Sequence, residues 1–304
     1  GVYVNALIYE KSGWENTTIT YSFNNDGDEP SQWTQGEKDA FADVFQTFSN
    51  VANITFVEGT YTNNNNTRTN IGLHKQPKEL FSNEWTMAVF QYPTIYQNNH
   101  VWGKFNYDRD EYNNLAKGAW AFSMYIHEIG HGLGLMHPHG HSQAFPGVDK
   151  HDDAGDYDLN QRMLTIMSYH GGSASKHRTA MTPMLFDIAA LQEMYGANTT
   201  YRDGNDTYSV NFNPKDPEHN ADALGWTCIW DTGGIDTMSN EGSTFDSQIN
   251  LNSYPLLGGA EAENKPWVYA STNWTPVFLT AGLMLADGVI IENAIGGSGK
   301  DTIY

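Results

Sequence analysis

His127-Glu128-Ile129-Gly130-His131-Gly132-Leu133-Gly134-Leu135-Met136-His137 is the most informative segment of this 304-residue chain. Its first two histidines are four positions apart, so on a helix they sit one turn apart on one face and can reach a single metal ion. Glu128 follows the first of them and can be aimed at a water rather than at the metal. Gly134 permits a turn that a side chain would obstruct, letting His137 swing back as a third ligand. Three protein ligands leave a position open, which is the arrangement of a catalytic rather than a structural zinc. A bare histidine pair at this spacing also fits a polar helix face; the full pattern with its glycine and third histidine is far more specific.

Around it, a helix is expected over Lys117 to Leu133, with Phe122, Ile126, Ile129 and Leu133 toward the core and Gly132 and Gly134 ending it. Upstream, Thr18 to Phe23 alternates like a strand. Thr34 and Glu37 make a capping box for a helix whose stripe is Phe41, Val44, Phe45, Phe48 and Val51. Ile54 to Val57, Asn70 to His74, Thr86 to Tyr92 and Val101 to Tyr107 are further strand candidates, and Tyr61 to Asn70 reads as an exposed loop. Downstream, a polar histidine-containing loop leads to Thr165-Ile166-Met167-Ser168-Tyr169. Thr182 as cap and Pro183 then open a third helix that stops at Gly196. After about Asn198 the helical period disappears. Thr207 to Phe212, Leu224 to Asp231, Gln248 to Asn252, Trp267 to Thr272 and Val277 to Glu292 alternate with Gly, Asn and Asp turns, as in an all-β domain.

The net charge is −20. Such a surface repels nucleic acid and anionic membranes, which excludes both as partners. It is explained by solubility, or by carboxylates that hold cations. No apolar run is long enough to span a membrane, and Gly1 to Asn5 lacks the zones of a signal peptide, so a removed leader or another export route is expected. The single cysteine, Cys228, allows no internal disulfide; it reads as a buried small hydrophobe, and calcium is the alternative staple.

The zinc pattern followed by a methionine turn is the metzincin signature. Within that group the chain resembles the serralysins, secreted calcium-binding bacterial proteases. The resemblance is carried by Pro138, by Met167-Ser168-Tyr169, by Asp187-Ile188-Ala189-Ala190-Leu191-Gln192 with Tyr195-Gly196-Ala197-Asn198, and by Glu292-Asn293-Ala294-Ile295-Gly296-Gly297-Ser298-Gly299. It runs from about Thr18 to Tyr304. Matrixins share the zinc motif but are not expected to carry the C-terminal ones.

The resemblance implies an α+β fold. A metzincin catalytic domain with a twisted mixed sheet and an active-site helix would cover 1–198. An all-β calcium-binding sandwich over 199–304 would lead into an RTX β-roll. It implies a secreted, extracellular, monomeric enzyme made as a zymogen, a zinc endopeptidase of broad specificity. Its partners would be protein or peptide substrates and a small proteinaceous inhibitor. His127, His131 and His137 would hold zinc, and Glu128 would carry the proton from water to the leaving amine. Tyr169 would be a displaceable zinc ligand that stabilises the tetrahedral intermediate, and Met167 would underlie the metal. The strand around Ala88 would pair with extended substrate. Gly132, His170 and His139-Gly140-His141 depart from the family pattern. His139, His141, His151 and His177 read as surface residues, with a second metal on one pair as the alternative.

Gly296 to Tyr304 matches one calcium-binding nonapeptide. One repeat cannot make a roll, so the chain is expected to stop where a roll would begin, through trimming. Asp231-Thr232-Gly233-Gly234-Ile235-Asp236 alone would be a turn. By resemblance it joins Arg202 (through its carbonyl), Gly204 and Asp206 around one calcium, with a second among Gly234, Asp236, Ile290 and Glu292. The rival from a different class is an inactive, protease-like, calcium-dependent binding module, against which the intact His127, Glu128, His131, His137 and Tyr169 weigh.

Overall fold

The Thr34 amide donates to Glu37 Oε2 at 2.8 Å, and the Glu37 amide donates to Thr34 Oγ1 at 3.3 Å. This reciprocal cap stabilises by about 0.5–2 kcal/mol and starts helix α2 (Gln35–Val51), after a short α1 (Val2–Ala6). The structure, a computed structural model, describes residues 1–9, 13–24, 33–60, 69–93, 100–171, 179–209, 225–244, 246–252 and 282–304. Most of the Asn-rich loop after Tyr61, the strand expected at Trp267 to Thr272 and His177 lie outside them.

Strands β1 (Thr18–Asn24), β2 (Thr55–Glu58), β3 (Ile71–Gln76), β4 (Ala88–Phe90) and β5 (Val101–Asn106) form one mixed sheet in the order β2-β1-β3-β5-β4. Pairing is parallel up to β5, and β4 closes one edge antiparallel to it, with Ala88 opposite Phe105. Strand β4 is shorter than the expected Thr86 to Tyr92. Its ladder nevertheless continues at both ends, from Asn106 N–H to Met87 O at 2.9 Å and from Gln91 N–H to Trp102 O at 3.1 Å.

The α2 stripe is buried as its period requires: Phe41, Val44, Phe45, Phe48 and Val51 are all at most 3% exposed. Phe41 stacks on Tyr125 of helix α3 (Trp120–Gly132) at 4.1 Å and meets Phe105 of β5 edge-on at 5.3 Å. One ring therefore ties both helices to the sheet, and a fully buried side chain of this size stabilises by about 1.5–3 kcal/mol. Helix α3 begins three residues later than expected, because Ala116 to Ala119 close a turn first (Ala119 N–H to Ala116 O, 2.9 Å).

Helix α4 (Leu185–Tyr195) does not start on Thr182 and Pro183. Its cap is Asp187, whose Oδ2 accepts from the Met184 amide at 2.8 Å. The Thr182 hydroxyl oxygen is used elsewhere, accepting from the Cys228 amide at 2.9 Å.

The C-terminal region is all-β where it is described, but the antiparallel hairpins of an ordinary sandwich are not seen there. Strands β6 (Thr207–Ser209), β7 (Trp226–Ile229), β8 (Thr237–Ser239), β9 (Ser247–Ile249), β10 (Gly282–Leu285), β11 (Asn293–Ile295) and β12 (Asp301–Ile303) pair only in parallel, as β10-β7, β11-β8-β6 and β12-β9. Successive strands β7, β8 and β9 are matched by β10, β11 and β12, as in one coil laid on another. The nonapeptide's own strand, β12, thus stacks on β9 although its sequence repeat is single: Ser247 pairs with Asp301. Parallel pairing needs only a neighbouring coil, which need not carry the same motif. This region is joined to the stretch before α4 by Trp226, which exchanges hydrogen bonds with Thr179 O and Met181 N–H at 2.9 and 2.8 Å. Cys228 is buried, which pushes its thiol pKa up, as a small core hydrophobe.

Candidate active site and metal centre

Helix α3 presents two faces. Phe122, Ile126, Ile129 and Leu133 are at most 1% exposed in the core, while Trp120, Ser123, Met124, His127 and Glu128 line a cavity of about 430 Å³ with Ala88 of β4 and Tyr169. The helix ends in a Schellman turn: Leu135 N–H reaches Gly130 O at 2.9 Å, Gly134 N–H reaches His131 O at 2.9 Å, and Gly134 has φ +103. That turn needs a residue at ease in the left-handed region, which is why glycine stands there. It also delivers the Leu135 carbonyl to His131 Nδ1 at 2.7 Å. The carbonyls freed at the helix end are taken up by Trp14 Nε1 (to Gly132 O, 2.9 Å) and Tyr195 Oη (to Leu133 O, 2.6 Å).

The three histidines meet. His127 Nε2 and His131 Nε2 lie 3.1 and 3.0 Å from His137 Nε2. His127 Nδ1 donates to Ile166 O at 2.8 Å as His131 Nδ1 does to Leu135 O, so both Nε2 atoms carry lone pairs. Burial pushes all three imidazoles below their ordinary pKa, His131 to about 4, so they are neutral as metal ligation demands. At most one proton could bridge such a cluster, whereas one cation satisfies all three. Tetrahedral zinc with bonds of about 2.0–2.1 Å sets its nitrogens about 3.3 Å apart, close to what is seen. The donor set fits zinc.

Glu128 is buried beside them with Oε2 lacking a hydrogen-bond partner. Burial pushes its pKa up to about 8, and a cation next to it would favour the ionised form. The Tyr169 ring lies 4.6 Å from that of His137 and 5.8 Å from that of His127, and is 45% exposed, which leaves it room to move. Met167 is fully buried, its Sδ set against the α-carbon of Gly130 so closely that a Cβ there would lie 3.0 Å away.

Residues 13–161 match the family model described as Matrixin. The chain is 34% identical over 268 residues to Serralysin C of Dickeya chrysanthemi, covering 85% of this chain and 51% of that protein. It is 32% identical over 270 residues to Serralysin B of the same organism, with 85% and 51% covered. Over most of its length the chain is similar to the serralysins. A serralysin of Photorhabdus sp. (strain Az29) is 29% identical over 310 residues, 95% of this chain and 58% of the relative. The chain thus spans about half the length of the curated relatives it matches. The family and the triad agree on zinc as the metal.

Three features of this site were not legible in the sequence motifs. Asp187 reaches back to the methionine turn, accepting from Thr165 Oγ1 at 2.6 Å and Ile166 N–H at 2.7 Å. Since Ile166 O holds His127, Asp187 sits behind that ligand; burial pushes its pKa up to about 7 against these hydrogen bonds. Its position as third residue of α4 was the available signal. His139 is not a plain surface residue: half-buried, its ring stacks parallel on His137 at 4.9 Å and meets Tyr169 at 4.7 Å. His141 Nε2 bonds His137 O at 2.8 Å, and His151 is exposed. Gly132 is explained by Phe90 of β4, whose ring carbon would lie 2.6 Å from an added Cβ.

In the C-terminal region, one carboxylate oxygen from each of Asp206, Asp231 and Asp236 falls within 4.8 Å of the others. Asp236 Oδ1 accepts from the Asp206 amide and Glu292 Oε2 from the Asp236 amide, both at 2.7 Å, while Asp236 Oδ2 is buried without a partner. Asp231 Oδ1 accepts from Gly233 N–H at 2.9 Å, Gly234 abuts Gly204 O, and Ile290 is 70% exposed. The Arg202 carbonyl accepts from Thr232 N–H at 3.3 Å, and its guanidinium meets Asp206 Oδ1 at 3.3 Å.

Proposed function

We propose that the protein is a secreted zinc-dependent endopeptidase that hydrolyses peptide bonds of extended protein substrates with broad specificity. The observation that carries this is the convergence of three buried or half-buried imidazole Nε2 atoms on one point beside Glu128. Zinc on His127, His131 and His137 would supply Lewis acidity toward water and the scissile carbonyl. Glu128 takes the proton of the attacking water and returns it to the leaving amine, a contribution of about 10²–10⁴-fold. Strand β4 around Ala88 has no strand on its outer side among the described residues, so substrate adds there and its backbone supplies affinity with little demand on sequence. Tyr169 turns toward the developing oxyanion, and Met167 supports the triad from below. The test is digestion of casein or gelatin by zinc-loaded protein with and without chelator; folded, zinc-loaded protein that cleaves neither overturns the reading.

The same reading divides the chain at residue 198 and assigns a pair of calcium ions to the C-terminal region. Arg202, Gly204, Asp206, Asp231 and Gly233 surround one; Gly234, Asp236, Ile290 and Glu292 surround the other. The unpartnered Asp236 oxygen supports it, since hard cations take oxygen ligands alone. Synthesis as a zymogen, a monomeric state and capture by a small proteinaceous inhibitor belong to this proposal too.

A further inference from the structure

Arg162 has no part in the chemistry above. It is half-buried on the wall of the cavity that holds Glu128. Its Nε donates to Ser168 O at 3.3 Å, and its guanidinium lies 4.4 Å from the centre of the Trp120 ring. The stack and the hydrogen bond fix the plane of the fork. Among the described residues neither Nη has a hydrogen-bond partner, and none of the ion pairs includes this arginine. That is unexpected in a chain with 36 acidic and 16 basic residues, because a partly desolvated guanidinium is the group best suited to a carboxylate. Glu128 does not pair with it, its Oε2 having no partner. Trp85, Met87 and Met124 make the remaining wall largely apolar, so a charge contact inside is screened less than at the open surface.

We propose that Arg162 is a specificity-determining residue that receives the carboxylate of an Asp or Glu side chain next to the scissile bond. The proposal rests on the peptidase reading. The fork offers parallel N–H donors to both carboxylate oxygens, which an amide of the same shape cannot match. A surface with net charge −20 holds acidic segments off, and a cationic recess at the cleavage point offsets this where cleavage occurs.

The test uses peptides amidated at the C-terminus that differ only in the residues flanking one cleavage site: Asp, Glu, Asn, Gln, Leu or Lys. Cleavage is measured with zinc-loaded protein, and binding to the Glu128→Ala variant is followed by tryptophan fluorescence, since Trp85 and Trp120 line the cavity. The expected result is a preference of about tenfold for acid over amide in kcat/KM, with the same order in binding. Arg162→Gln should abolish the preference, and Arg162→Lys, which keeps the charge without the fork, should retain some of it. Melting curves establish that each variant is folded, and Arg162→Lys carries the test if Arg162→Gln is not. Equal treatment of acid and amide by the wild type, or a preference that survives in Arg162→Gln, overturns the proposal. So does a stronger preference for matched peptides with a free C-terminal carboxylate, which would make the chain end the ligand. Acid-selective binding without any cleavage supports Arg162 as the carboxylate site and overturns the peptidase reading instead. Neither binding nor cleavage overturns both.

Discussion

The histidines around Glu128 and the carboxylates around Asp236 each bring three or more potential ligand atoms together, but with different electrostatics. His127 and His131 are buried and neutral, each with Nδ1 held by a backbone carbonyl, so the pocket is preformed at little electrostatic cost. Asp206, Asp231, Asp236 and Glu292 bring like charges together, and the Asp236 pKa is raised by burial and then by those neighbours. On the proposed reading a cation would complete the first site and would stabilise the second by neutralising its carboxylates. Preorganisation suits catalysis, where ligands must not rearrange, and a charge cluster suits a staple in a chain without disulfides.

The largest expected effect isolates the first site. Glu128→Ala should lower peptidase activity by about 10²–10⁴-fold while zinc content, read by metal analysis, and melting temperature stay unchanged. A folded variant with near wild-type activity would remove Glu128 from the mechanism.

The next separates the two regions. Chelating zinc should abolish activity with little loss of fold, but removing calcium should lower the melting temperature. A ligand bound only to the native state stabilises by about 4 kcal/mol at a thousandfold excess over its Kd. Asp231→Asn/Asp236→Asn should lose most of that response. The pH dependence follows from the sign of the shift. Without a cation the folded pKa of Asp236 lies above its unfolded value, so its contribution is fully present below the unfolded pKa and is lost as pH rises through the folded one. Bound calcium opposes that loss, so the calcium response in melting should be larger at neutral pH than near pH 4. A melting curve flat in calcium from chelated to millimolar conditions would end the calcium reading.

Asp187 provides the control, a buried carboxylate supplied by the protein's own donors. Asp187→Ala strands Thr165 Oγ1 and the amides of Ile166 and Met184, at about 1–3 kcal/mol for each group left unsatisfied. Its loss should be independent of calcium and should weaken zinc retention through His127. Unaltered zinc affinity would show that the methionine turn holds its carbonyl without help.

The smallest effect tests the fit beneath the site. Gly132→Ala pushes a methyl into the Phe90 ring and should destabilise by about 1–3 kcal/mol. Phe90→Leu in the same chain should recover some of it, and additive effects in denaturant unfolding would show that the two positions do not press on each other.

Features that rest on local spacing can be read from the chain alone. The histidine pair on one helical face, the glycine turn, the Thr34–Glu37 cap and the α2 stripe follow from the period of the helix and the freedom of glycine, and need no knowledge of the rest of the chain. Features that depend on partners distant in sequence emerge only on folding. Thr182 was a sound cap by itself, but Cys228 bonds its hydroxyl and Asp187 caps α4 in its place. His139 reads as a surface residue until His137 and Tyr169 fold against it, and Arg162 carries no motif at all until Trp120 fixes its plane. The parallel coils of the C-terminal region were likewise hidden, because strand pairing is a relation between segments, and short β-like runs with polar turns suit hairpins and coils equally. Periodicity constrains what a segment does alone; which groups it satisfies is decided where segments meet, because a hydrogen bond or a packed ring needs both partners.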